Sequence, residues 1–122
     1  MKKYDKELII KQYEESGKIM YETTLSGDYK TCNKEAKKLI TLFKYFEQNK
    51  EFGMDCINTL LKSKNIVIKS KAAAYCLALN ENIDQAVMIL EELSKDDSIG
   101  IYRLNAEMTL KVWKENGCLK IY

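Results

Sequence analysis

Residues 69 to 79 read Lys-Ser-Lys-Ala-Ala-Ala-Tyr-Cys-Leu-Ala-Leu, the clearest helical stretch in the chain. Ala73 and Leu77 stand four apart, and the same small-then-apolar pair recurs as Ala106 with Leu110 and as Ala36 with Ile40. The recurrences fall 33 residues downstream and 37 upstream. A period of this length marks helical repeats, in which each helix pair cannot bury its apolar face alone and stacks on the next. The expected fold is all-α, with about six helices in antiparallel pairs.

The 122 residues suffice for one domain, 1–122, that buries roughly two-thirds of the surface its unfolded chain exposes. Twenty basic residues face 18 acidic ones, balanced in both halves, so no basic or acidic tail marks a partner. Arg103 is the one arginine, which argues against bidentate reading of bases. Histidine is absent, removing the usual general base and the commonest metal ligand. With no glycine-rich phosphate loop and no nucleophile motif, a non-enzymatic protein without cofactor or metal is expected. No signal-peptide pattern or membrane-length apolar run is found, which predicts a cytoplasmic protein. Cys32, Cys56, Cys76 and Cys118 show no metal-type spacing; Cys56 and Cys76 lie within apolar helical patterns and read as buried thiols.

Proline is absent, and Gly27, Gly100 and Gly117 fall where helices need to break. A first helix is expected from Tyr4 to Thr24, with Gly17 in its middle at a cost of roughly 1 kcal/mol against alanine. Gly27 closes it, and Thr31 or Asn33 caps a second helix with Ala36, Leu39, Ile40, Phe43 and Phe46 on one face. A third spans Phe52 to Lys62. After a turn at Ser63-Lys64-Asn65, the fourth, Ile66 to Leu79, is apolar nearly all round and should be covered on more than one side. Asn80-Glu81-Asn82 ends it, and Asn82 or Asp84 caps a fifth bearing Ala86, Ile89, Leu90 and Leu93. The sixth, Ile101 to Glu115, aligns Ala106, Leu110 and Trp113 in the core, with Leu104 and Met108 beside them. The apolar end, residues 118–122, is expected to pack back onto the last pair.

Phe52 to Leu79 and Ile83 to Trp113 resemble HEAT-type repeats, after a divergent pair over 4–49; the repeat units span 52–79 and 83–115. Gly27-Asp28, Lys69-Ser-Lys-Ala-Ala-Ala and Trp113-Lys-Glu-Asn-Gly117 make the whole chain similar to a short bacterial HEAT-like family catalogued as a domain of unknown function. The resemblance implies an α-α superhelix. HEAT repeats carry a turn aspartate and an arginine early in the second helix, whereas this chain has Ser63 and Lys69, then Asp96 and Tyr102.

Repeat slabs hold macromolecules, so the expected function is protein binding, with an immunity or antitoxin role as the specific form the resemblance implies. Candidate partner contacts are Tyr21, Tyr29, Tyr45 and Tyr102, because tyrosine offers contact area at low entropic cost. The alternative is nucleic-acid binding through lysines clustered at turns: Lys62, Lys64, Lys69 and Lys71 at one, Lys34, Lys37 and Lys38 at another. A glycosylase-like enzyme would have to use Asp97 with Trp113, the weakest of the three readings. Self-association is the remaining partner expectation, since a short stack leaves apolar ends exposed.

Overall fold

The computed structural model describes residues 5–122, so Tyr4, where the first helix is expected to begin, lies outside the described residues. Those residues form an all-α fold of six helices: α1 (Lys6–Ser26), α2 (Tyr29–Gln48), α3 (Lys50–Leu60), α4 (Ile66–Leu79), α5 (Ile83–Ser94) and α6 (Ile101–Asn116). A 3-10 turn, Asp97–Ile99, precedes α6. No helix among the described residues is long and apolar enough to cross a membrane. The chain divides into two compact units, Met1–Lys69 and Ser70–Tyr122, and the division falls inside α4.

In the first unit Asp5 caps α1 by accepting from the amides of Glu7 and Leu8. Gly27, at φ 80°, closes the helix by donating its amide to the Thr23 carbonyl. The second helix starts earlier than expected. Asp28, and neither Thr31 nor Asn33, is its cap, accepting from the Thr31 amide at 3.2 Å. The hydroxyl and amide of Thr31 hold the Asp28 carboxyl below its usual range. A carboxylate directly before the helix satisfies an orphan amide and also suits the positive end of the helix dipole. Two short polar side chains further along therefore had no cap to make.

Helix α1 packs on α2, and α3 packs on both. Ile9, Tyr13 and Met20 meet Leu39, Phe43 and Phe46 with Cys56, Ile57 and Leu60, all buried. The Tyr13 and Phe46 rings stack at 6.0 Å, and the Tyr13 hydroxyl donates to the Leu39 carbonyl at 3.2 Å, so a fully buried phenol is satisfied. Two glycines mark close approach. A Cβ on Gly53 would stand 2.9 Å from the Phe46 Cα, and one on Gly17 would meet the Ile68 side chain from the first turn of α4. Asn65 starts α4 by accepting from the amides of Val67 and Ile68, and Ser63 ties the turn to α1 by donating to Glu14 at 3.0 Å.

In the second unit Ala72, Ala73, Tyr75, Cys76 and Leu77 of α4 are buried, as the apolar reading requires. Helix α4 ends at Leu79, where Asn80 turns left-handed at φ 60° and the Glu81 amide returns to the Cys76 carbonyl. Asn82 precedes α5 at φ 49° and makes no side-chain capping bond. Helices α5 and α6 form a hairpin burying Ala86, Ile89, Leu90 and Leu93 against Tyr102, Ala106 and Leu110. Gly117, at φ 72°, donates its amide to the Trp113 carbonyl and ends α6. Ala106 and Leu110 form the core stripe of α6 as expected, but Tyr102 and not Trp113 extends it: Trp113 is half-buried, and Leu104 and Met108 beside the stripe are exposed. Leu119 and Ile121 are half-buried, while Cys118 and Tyr122 are exposed.

Candidate interaction surface

The four tyrosines singled out in the sequence fall into three environments. Tyr21 and Tyr29 are 40% and 70% exposed on either side of the α1–α2 turn, with Leu25, 68% exposed, between them in the chain. Tyr21 and Leu25 share a face of α1, being four apart. The left-handed Gly27 and the Asp28 cap hold the corner that carries all three. Tyr45 is half-buried and sets its ring edge-on to Phe52 at 5.8 Å, a packing role. Tyr102 is 7% exposed and cannot be a contact residue in this fold. It lies four residues from Ala106 and eight from Leu110, on the face that α6 turns inward.

The lysines part in a similar way. Lys62 and Lys64 are exposed on the turn before α4, whereas Lys69 and Lys71 are half-buried on α4 itself. Two residues apart on a helix do not face the same way, so Lys69 and Lys71 do not extend one turn-centred cluster. Lys34, Lys37 and Lys38 are not at a turn at all. Because α2 begins at Tyr29, they lie along its body, exposed, with Lys30 before them and Lys44 after.

A polar group that the sequence reading passed over lies between α1 and α2. Glu35 is 5% exposed and accepts from the Ser16 hydroxyl at 2.8 Å through Oε1 and from Lys38 at 3.0 Å through Oε2. Ser16, fully buried, accepts in turn from the Gln12 side-chain amide at 2.7 Å. The Ser16 hydroxyl is the main influence holding the Glu35 carboxyl below its usual range, outweighing burial, and Lys38 adds to it. Each charge and dipole is answered, so the group locks the register of two helices without needing a ligand. Ser16 and Glu35 are 19 residues apart, and no local pattern links them.

The remaining chemistry is limited in kind. Cys56 and Cys76 are fully buried, and burial pushes both thiols up to about 11. Such thiols are inert at neutral pH. Asp97 is exposed and lies 3.5 Å from the Arg103 guanidinium, and Trp113 is half-buried. Between α5 and α6 an open groove of about 460 Å³ is lined by Glu91, Glu107 and Glu115 with Lys95, Lys111 and Lys114, so its charges cancel and favour no one sign of ligand. Among the described residues no three acidic or cysteine side chains gather as a metal site. Compared with protein-family models, curated proteins and solved structures, the chain matches none.

Proposed function

We propose that this chain is a non-enzymatic helical module that binds a protein partner through the α1–α2 corner. The supporting observation is the exposure there of Tyr21, Leu25 and Tyr29 on a rigidly capped turn. Large apolar side chains exposed together favour a partner, and tyrosine is prominent among residues that dominate binding energy. The fitting partner offers an apolar pocket for Leu25 with hydrogen-bonding groups at its rim for the two phenols. The spacing of Ala36, Ala73 and Ala106 supports reading the hairpins as HEAT-like, and the toxin-neutralising role is the specific form of this proposal.

The test is capture of the tagged protein from its native cells at moderate salt, beside the Leu25→Ser/Tyr29→Ser variant, with bound proteins identified by mass spectrometry. A stoichiometric partner held by the parent and lost by a variant of unchanged helicity is the expected result. A partner retained equally by both would remove the corner from the proposal. No stoichiometric partner would end it, and a toxin as the partner would establish the immunity form.

A further inference from the structure

Helix α2 carries five lysines and two glutamates, although the whole chain is only +2. Their placement is not even. At about 100° per residue, Lys30, Lys34, Lys37 and Lys44 fall within roughly 80° of arc, with Lys38 beside them. All five are exposed. Thr41, also exposed, occupies the gap between Lys37 and Lys44 and returns its hydroxyl to the Lys37 carbonyl at 3.2 Å. No acidic residue of α2 enters the arc: Glu35 is buried against Ser16 and Lys38, and Glu47 lies about 60° outside it. At 1.5 Å per residue the row is about 21 Å long.

We propose that this face of α2 binds the phosphate backbone of duplex nucleic acid, without reading its sequence. A duplex strand presents a phosphate about every 3.4 Å of axis, so the row spans roughly six of them. Lysine supplies mobile point charges for such contacts, and the row holds no arginine to grip a base edge. The row is also preformed. Leu39, Phe43 and Phe46 on the opposite face are buried against α1 and α3, so no ordering of the helix accompanies binding. That burial disfavours a membrane, since an interfacial helix must give its apolar face to the lipid. An acidic protein segment fits less well, because the arc has no exposed aromatic or aliphatic anchor. The row abuts at Lys30 the corner proposed above for a protein partner but shares no residue with it, and either can fail alone.

The experiment is fluorescence anisotropy with a labelled duplex of about 20 base pairs, titrated between about 50 and 200 mM salt. Four backbone contacts predict a slope of log K against log salt of about −3 to −4. The Lys30→Gln/Lys34→Gln/Lys37→Gln variant is expected to lower that slope by about 3 and to bind at least about tenfold more weakly at the low-salt end. The matching arginine variant should retain binding. Lys62→Gln/Lys64→Gln/Lys95→Gln makes the same change in net charge at exposed lysines elsewhere and should stay within about twofold of the parent. Helicity measured by circular dichroism establishes that each variant is folded. Absence of binding at the lowest salt, equal weakening by the two glutamine triples, or binding to phosphatidylserine vesicles in place of duplex would each overturn the proposal.

Discussion

A Cβ placed on Gly17 would stand 2.7 Å from Cδ1 of Ile68 and closer still to its Cγ1, so the glycine in the middle of α1 is where the first turn of α4 lies against it. Ile68 is fully buried, which leaves its side chain no open space to retreat into. Gly17→Ala should gain roughly 1 kcal/mol of helix propensity and lose about 1–3 to overpacking, for a net destabilisation. Urea unfolding checks the sign. Adding Ile68→Ala to that variant should cost less than Ile68→Ala costs in the parent, because the truncation makes room for the added methyl, which fills part of the cavity left behind.

Gly53 meets a harder obstacle. Its missing Cβ would lie 2.9 Å from both the Cα and the carbonyl oxygen of Phe46, atoms of the α2 backbone. A helix backbone cannot rotate away as a side-chain tip can, so Gly53→Ala should destabilise more than Gly17→Ala, by more than about 2 kcal/mol. Parallel unfolding of the two variants tests the order.

The Ser16–Glu35 bond should be visible as a coupling and as a pH dependence. A double-mutant cycle with Ser16→Ala and Glu35→Ala is expected to give about 1–2 kcal/mol of interaction, within the range for directly bonded buried groups. The carboxyl is held below its ordinary value in the folded chain. The unfolded chain therefore binds the proton first as pH falls, and the associated stability, complete above the ordinary glutamate range, is lost as pH drops through the folded value. Glu35→Gln should flatten that acid limb of a stability-against-pH curve.

Thiol labelling separates the cysteines. Cys56 and Cys76 are fully buried with thiols pushed up to about 11, whereas Cys118 is exposed. At pH 8 a thiol reagent should modify Cys118 in the native protein and reach Cys56 and Cys76 only on unfolding, which peptide mapping by mass spectrometry resolves.

Local pattern was enough for several elements. The ends of α4, the turn at Asn80, and the helix stops at Gly27 and Gly117 follow from side chains within a few residues of each break. The cap of α2 is ambiguous in the sequence, because Asp28 is as able to cap as the expected Thr31 or Asn33. That ambiguity misplaced Lys34, Lys37 and Lys38 at a turn and hid the row they form with Lys30 and Lys44. Tyr102 carried a readable signal, its spacing of four from Ala106 and eight from Leu110, but a phenol is at home on either side of a surface. Its burial in turn leaves Leu104 and Met108 exposed.

By itself the sequence determined an all-helical chain, because apolar spacing, caps and left-handed stops act over one or two turns. Tertiary structure alone decided that Glu35 is buried, that Gly17 and Gly53 are sites of contact, and which tyrosines face water. Those outcomes depend on what another helix brings alongside: Ser16 to Glu35, Ile68 to Gly17, Phe46 to Gly53. Partners 7 to 51 residues away leave no periodic trace in either segment.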